Sequence, residues 1–465
     1  MRDRRRTIFQ HLAVFGGAVI ITAAAALADS VPVMAAAART PASGGSWSLP
    51  RALSTPRGYS DGNFSALSCT SPLNCTAVAI YATKTFVPGI FAITKKQGVW
   101  GQAVRIPTPT TPAYNSLVVS LSCASAGNCA AGGQYAVPTS PADQGFMVSE
   151  INGSWGKAQR VPGTGSTGRV LDVACPAAGN CTAAGAEGSD ANTRAFLVSQ
   201  RHGTWRNAFP VPGLAALTGG HDTSYVRELV CPSLGNCIAT GFYGPFGGTN
   251  TDFVATETHG IWGKAQALAA GVVIHALSCR SAGNCVAAWL GPNSPGVSVI
   301  TQTNGTWGKP QLVPGTPQLD QNGGGAEIRQ VICPAAGQCT VLGVSFTPES
   351  DVATPFVAVQ KNGIWRTFQR IAGNPSSDAS LSCSTGDNCV LGTSIAVRRH
   401  IHAAFAAEVN GRWGRATLLT GVRALGTGYG SQIDAVSCPA LFRCTAVGTF
   451  YGRNGYRWPL ATVQR

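Results

Sequence analysis

Charge is scarce in this sequence: Asp, Glu, Lys and Arg make up only 12% of its 465 residues, and the acidic ones number 20. So little charge leaves no material for long solvated helices or coiled coils, and no segment sustains the 3.6-residue apolar period of a long helix. Other signatures are missing as well. No His/Cys/Asp/Glu cluster with metal-ligand spacing, no nucleophile elbow and no phosphate-cradling glycine loop is present, so neither a metal nor a cofactor is expected. The basic residues are scattered and never form a run with interleaved aromatics, which excludes nucleic acid as the expected partner.

What is abundant points to strands and turns. Fifty-seven glycines and 28 prolines suit many short strands joined by tight turns. The formal net charge of +14 would hold an exported protein near anionic cell-wall polymers, lipids or acidic glycans, or would serve solubility alone. Residues 1–28 read as a signal peptide: Arg2, Arg4, Arg5 and Arg6, an apolar run from Leu12, and a small-residue cleavage site at Ala26-Leu27-Ala28. The run lies near the lower length limit for a membrane span, so an uncleaved anchor is the alternative, and no membrane span is expected after cleavage. Arg5-Arg6 also fits loosely a twin-arginine leader, so either export route is open. Residues 29–46, rich in Ala, Pro, Ser and Gly, read as a disordered linker, and residues 47–465 as one repeat domain.

The repeat is carried by cysteine. Sixteen cysteines fall into eight Cys-x5-Cys pairs: Cys69 and Cys75, Cys123 and Cys129, Cys175 and Cys181, Cys231 and Cys237, Cys279 and Cys285, Cys333 and Cys339, Cys383 and Cys389, Cys438 and Cys444. Successive first cysteines are 48 to 56 residues apart, the period of a four-stranded propeller blade. The five intervening residues, such as Pro176-Ala177-Ala178-Gly179-Asn180, suit a hairpin loop. Residues facing each other across an antiparallel pair have Cα atoms about 4.5–5.5 Å apart, within reach of a disulfide. Two thiolates with no His or further Cys nearby cannot fill a tetrahedral zinc site, so each pair is read as a bridge contributing about 2 kcal/mol. Such bridges persist in an oxidising compartment.

A second signal is a Gly-x-Trp turn ending in Trp100, Trp155, Trp205, Trp262, Trp307, Trp365 and Trp413, preceded by Asn in four cases. Asn-Gly between apolar runs marks a type I′ hairpin. Upstream of each turn stands Phe91, Phe146, Phe196, Phe253, Val299, Phe356 or Phe405, so the two large residues lie on one hairpin and are assigned to packing between blades rather than to stacking on sugars. Each unit thus supplies four strands: one ending at the first Cys, one starting at the second, one with the Phe and one from the Trp. In the eighth unit Trp458 takes the Phe position and the fourth strand is missing, while Trp47 to Leu53 supplies such a strand ahead of the first Cys pair. The expected fold is all-β: an eight-bladed β-propeller of four-stranded antiparallel blades, closed by an N-terminal strand completing the last blade, and present as a single copy.

The Gly-x-Trp turn resembles a degenerate Asp box, the Ser-x-Asp-x-Gly-x-x-Trp turn of sialidase-like propellers, with its Asp absent from all seven complete turns. As a whole, Trp47 to Arg465 resembles secreted bacterial propellers with repeated Ser-Cys-x-Ser-x-x-x-Cys-x-Ala-Val-Gly units. It also resembles the quinoprotein dehydrogenases in its eight blades and Trp-bearing repeat, but lacks the adjacent Cys-Cys pair expected of many of them.

Fold alone does not give function. The cysteine loops and Gly-x-Trp turns are nearly uniform and should share one rim. Diversity lies on the other, where the Trp-to-Cys distance runs from 17 residues (Trp262 to Cys279) to 26 (Trp205 to Cys231). Four positions before each first Cys stand Ser65, Val119, Leu171, Arg227, His275, Arg329, Ala379 and Asp434. With Arg169, Asp172, Tyr225 and Glu228 nearby, the ionisable members are candidates for a ligand-binding channel mouth. Arginines converging from several blades suit a carboxylate or an acidic sugar, and pairing with one another across blades is the alternative. The expected function is a secreted or cell-wall-associated, non-enzymatic propeller that recognises an extracellular glycan, cell-wall polymer or protein. The enzymatic alternative is a glycoside hydrolase or lyase on an acidic glycan, with Tyr225, Glu228, Arg169, Arg227, Arg329 and Asp222 in sialidase-like parts.

Overall fold

A computed structural model describes residues 45–465, except 86, 111–113, 138–139, 166, 190–191, 220–222, 270–271, 291–295, 320–324, 348–349, 374, 377–378, 386–387, 399 and 427–428. The expected signal peptide lies outside the described residues, as does the expected linker apart from Gly45 and Ser46.

Every Cys-x5-Cys pair opens one antiparallel sheet, and the blades are numbered here by these pairs in chain order. Blade 3 shows the pattern. Gly168–Ala177 pairs with Asn180–Glu187, which pairs with Arg194–Arg201, which pairs with Thr204–Trp205 and then Phe209–Pro210. The fourth strand is therefore in two pieces. Between them the residue after the Trp folds back on strand three, with Arg206 N donating to Ser199 O at 2.9 Å. First strands of successive blades pack side by side, and Tyr59–Ser71 meets Ser431–Ser437, which closes the ring.

Closure uses the N-terminal strand as expected. Arg51 pairs with Ala461 and Ala52 with Leu460 on the outer side of blade 8, and an isolated bridge joins Trp47 to Gln464. Ser48 N donates to Val463 O at 2.8 Å, so the edge of strand three is covered.

All eight disulfides form, with Cα atoms 4.0 to 4.1 Å apart. This is closer than the roughly 4.5 Å of an ordinary non-hydrogen-bonded pair. The cysteine loop and the Gly-x-Trp turn of a blade meet on one rim. Gly203 N donates to Gly179 O at 2.8 Å, and His202 N to Asn180 Oδ1 at 3.4 Å. Both turn residues have positive φ, 50° at His202 and 81° at Gly203, as a type I′ turn demands.

Apolar packing is between blades. One core joins Leu197 and Val211 of blade 3 to Phe253 and Val226 of blade 4. Phe91, Phe146, Phe196, Phe253 and Phe356 pair with the residue four after the second Cys. Three expected equivalents do not. Val299 and Phe405 pair one residue earlier, with Ala288 and Gly392, and Trp458 pairs with Phe450, leaving Leu460 opposite Gly448. The reason is chain length: Val299 and Phe405 precede their Trp by eight residues, not nine. A one-residue slip turns a side chain to the other face of its sheet. Phe405 accordingly meets Trp47 of blade 8, stacked at 3.6 Å and 9°.

Candidate functional site

The first strands surround the ring axis, and their edges are tied together by side chains. Ser122 Oγ accepts from Cys175 N of the next blade at 3.0 Å, and Ser278, Ser382 and Ser437 accept in the same way from Cys333, Cys438 and Cys69. The serine before the first cysteine thus satisfies an edge N–H that no strand reaches. Two residues upstream a second tier repeats the device, with Ser120, Asp172, Gln330 and Ser380 accepting from Val173, Leu229, Leu381 and Val436.

The position four before the first Cys is a β-bulge. Ser65, Val119, Leu171, Arg227, His275, Arg329 and Asp434 each fall in a register shift between the first two strands of their blade. Ala379 lies just ahead of its strand, which begins at Ser380. A bulge re-aims the side chain it carries, so these residues form a family apart from the regular ladder.

The candidate residues go to separate partners. Arg169 Nη2 donates to Tyr225 Oη at 3.1 Å, with its guanidinium 4.9 Å above the Tyr225 ring, and Tyr225 donates on to Thr193 Oγ1 at 3.3 Å. Arg227 lies over Phe242 and donates to Ile274 O at 2.8 Å. Arg329 pairs with Glu327 at 3.1 Å, near the surface. Asp434 accepts from Phe64 N and from Gln432 in the blade 8 and blade 1 sector, where Asp61 also holds Arg457 at 3.1 Å. No common arginine cluster forms among these residues. Asp222 lies outside the described residues.

Burial perturbs several ionisable groups of the candidate region. Burial lifts the Asp172 carboxyl to about 6 against three hydrogen bonds, from Ser120 Oγ, Val173 N and Leu229 N. Burial, reinforced by the Asp172 charge, lifts Glu228 to about 8. Asp252, which the sequence did not single out, is raised to about 6 by burial, against the nearby Arg227 and a 2.7 Å bond from Ile274 N. His275 is pushed down by burial and by Arg227, against a backbone hydrogen bond with Val273.

Two clefts are informative. One of about 300 Å³ opens on the variable rim between blades 3 and 4, lined by Arg169, Tyr225, Thr193, Ser189, Asp143 and Phe246 among others. The other, of about 730 Å³, lies on the cysteine rim between blades 4 and 5, where a uniform surface was expected. The sequence also left unremarked a ring of buried polar residues: Lys95, Glu150, Gln200, Glu257, Gln302, Gln360, Glu408 and Gln464. The first seven stand five residues before a turn Trp and pair with it, a spacing that would have revealed them. Among the described residues no three His, Cys, Asp or Glu side chains are placed to hold a metal, and no helix is long and apolar enough to cross a membrane.

No protein-family model and no curated protein matches the chain. Solved structures similar to it include an ulvan lyase described as a polysaccharide lyase, 9% identical over 88% of this chain and 95% of that one, with a TM-score of 0.44. A protein of unknown function from Dyadobacter fermentans is 7% identical over 91% of this chain and 100% of its own, with a TM-score of 0.45. A Hadza microbial sialidase is 11% identical over 70% of this chain and 74% of its own, with a TM-score of 0.33.

Proposed function

We propose that this chain is an exported, non-enzymatic recognition propeller that holds a carboxylate-bearing glycan or cell-wall polymer in the cleft between blades 3 and 4. The observation that carries this reading is Arg169. It lines the cleft, is held in place by Tyr225, and uses only one of its nitrogens there, so among the described residues the rest of its guanidinium fork has no protein partner. A fixed, partly unspent fork is what bidentate recognition of a carboxylate requires. The cleft volume of about 300 Å³ is at the small end of ligand sites, enough for one sugar ring of a longer polymer. Eight disulfides fit an oxidising compartment, and the basic, apolar leader of residues 1–28 supports export.

Glycoside hydrolysis by the two-carboxylate route needs both carboxyls available beside the scissile bond, whereas sialidases use a Tyr nucleophile. Asp172 spends both oxygens on Ser120, Val173 and Leu229, which leaves Glu228 without a carboxylate partner for that chemistry. Tyr225, the nucleophile of the sialidase-like alternative, has its hydroxyl taken up by Arg169 and Thr193; together these contacts support binding over glycoside hydrolysis. The test is sedimentation of the oxidised protein with purified cell walls and titration with polyuronate oligosaccharides. Arg169→Ala should weaken binding on the order of tenfold, as expected for loss of one charged hydrogen-bonded contact. Binding that survives this change unaltered, or turnover of a fluorogenic glycoside, overturns the reading.

A further inference from the structure

At some blade interfaces the ring of buried polar residues reaches across and closes the cysteine-rim side. Glu150 of blade 2 accepts from Thr76 and Thr94 of blade 1, at 3.4 and 3.3 Å. The space between those two blades has shrunk to about 10 Å³. In blade 3, Gln200 Nε2 and Trp205 Nε1 both donate to Ser149 Oγ of blade 2, at 2.8 and 3.1 Å.

The interface between blades 4 and 5 lacks this closure. Gln302 and Trp307 are the equivalents of Gln200 and Trp205, and they face Ile238 and Thr256, the equivalents of Thr76 and Thr94. Ile238 has no hydroxyl to offer. Gln302, only 3% exposed, gives its Nε2 to Gly305 O of its own turn, and its Oε1 is buried with no partner. Among the described residues neither Trp307 Nε1 nor Thr256 Oγ1 is given a hydrogen bond. The apolar pairing differs as well: Ser298 stands where five blades have Phe, and the buried Trp289 opposite it stands where those blades have Gly or Ala. The core at this interface counts six buried side chains among the described residues, against ten or more in the others described. What remains is the cleft of about 730 Å³, well inside the range of small-molecule sites.

We propose that this cleft between blades 4 and 5 is a second binding site, on the rim opposite Arg169, and that it takes a short neutral oligosaccharide. Its floor joins Ile238 and Val254 to the half-buried indole of Trp307, a flat apolar surface suited to the C–H face of a pyranose ring. Around that floor stand the orphan Gln302 Oε1 as acceptor, Trp307 Nε1 as donor, and the hydroxyls of Thr256 and Thr258 as either, while Glu257 and Lys264, of opposite charge, and His259 also line the cleft, so that it carries no strong charge of one sign. Sugar hydroxyls supply both partners at the edge of the ring whose face stacks. A buried amide oxygen left bare costs free energy that a ligand hydroxyl would recover, so the site is incomplete without one.

The proposal is tested by calorimetric and tryptophan-fluorescence titration of the oxidised full chain with cellotriose, chitotriose and maltotriose. At least one should bind saturably. Gln302→Leu keeps the side-chain volume but removes the acceptor, and Thr258→Arg obstructs the mouth from an exposed position without touching the core. Each should weaken binding on the order of tenfold or more, with the melting temperature monitored to verify folding. Arg169→Ala should leave it unchanged, so the two sites can fail separately. The proposal is overturned if none of the three sugars binds, if Thr258→Arg binds like the parent, or if binding is lost with Arg169→Ala instead.

Discussion

Glu228 sits beside Asp172 and Arg227 in the inner ring, and its folded-state carboxyl, near 8, lies above the ordinary 4.5. The folded protein therefore keeps a proton that the unfolded chain releases, and stability must fall as pH rises from about 4.5 to about 8. Asp172 adds a fall between 3.8 and about 6. Glu228→Gln should flatten the upper part of this profile, read as melting temperature against pH; an unchanged slope would place its origin elsewhere. His202 poses a backbone question. It holds φ 50° in a turn whose counterparts in four blades are Asn. A left-handed conformation is cheaper for Asn than for His, so His202→Asn should stabilise the chain by a few tenths to about 1 kcal/mol in denaturant unfolding. The turn itself was legible from Asn152-Gly153 and its kin. Asp172 and Glu228 were singled out as residues, but the perturbation of the carboxyls was not legible, because burial of Asp252 or Glu228 depends on neighbours from other blades.

At the scale of strands, the repeated Ser-Cys was visible in the sequence but its purpose was not. The hydroxyl acts across a distance of about one repeat, from Ser122 to Cys175. Ser122→Ala removes the acceptor and leaves Cys175 N–H unsatisfied in the inner ring, which should cost about 1–2 kcal/mol in denaturant unfolding. Changing Ala174 to Ser should have the reverse sign, since it offers Cys231 the acceptor that blade 3 lacks; no loss in the first variant would show that water serves the N–H equally well. The third strands carry the complementary lesson. Counting aromatic residues places Val299 and Phe405 with the other Phe positions, whereas counting back from the paired Trp puts them on the opposite face. Register is fixed by the pair at the turn, Gln302 with Trp307 or Glu408 with Trp413, and the rest of the strand follows.

The whole ring was readable because its unit is local: each disulfide, turn and hairpin closes within one repeat. The candidate sites were harder to read because each arises between blades, as Arg169 with Tyr225 and Ile238 with Gln302 do. Closure belongs to this largest scale. Residues 45–53 contribute the bridge at Trp47 and the pairs at Arg51 and Ala52, and Trp47 stacks on Phe405. Trp47→Ala should cost about 2–3 kcal/mol, somewhat less than a fully buried Trp, while the strand's hydrogen bonds persist. Deleting residues 45–53 should do more, because it leaves the third strand of blade 8, Arg457–Val463, as an open edge where the N-terminal strand joins the last blade. Such an edge pairs with other chains. The expected outcome is a lower denaturant midpoint than for Trp47→Ala, together with oligomers in size-exclusion chromatography that the single substitution does not form. A deletion variant as stable and as monodisperse as Trp47→Ala would mean that the stacked indole, and not the strand edge, holds the ring shut.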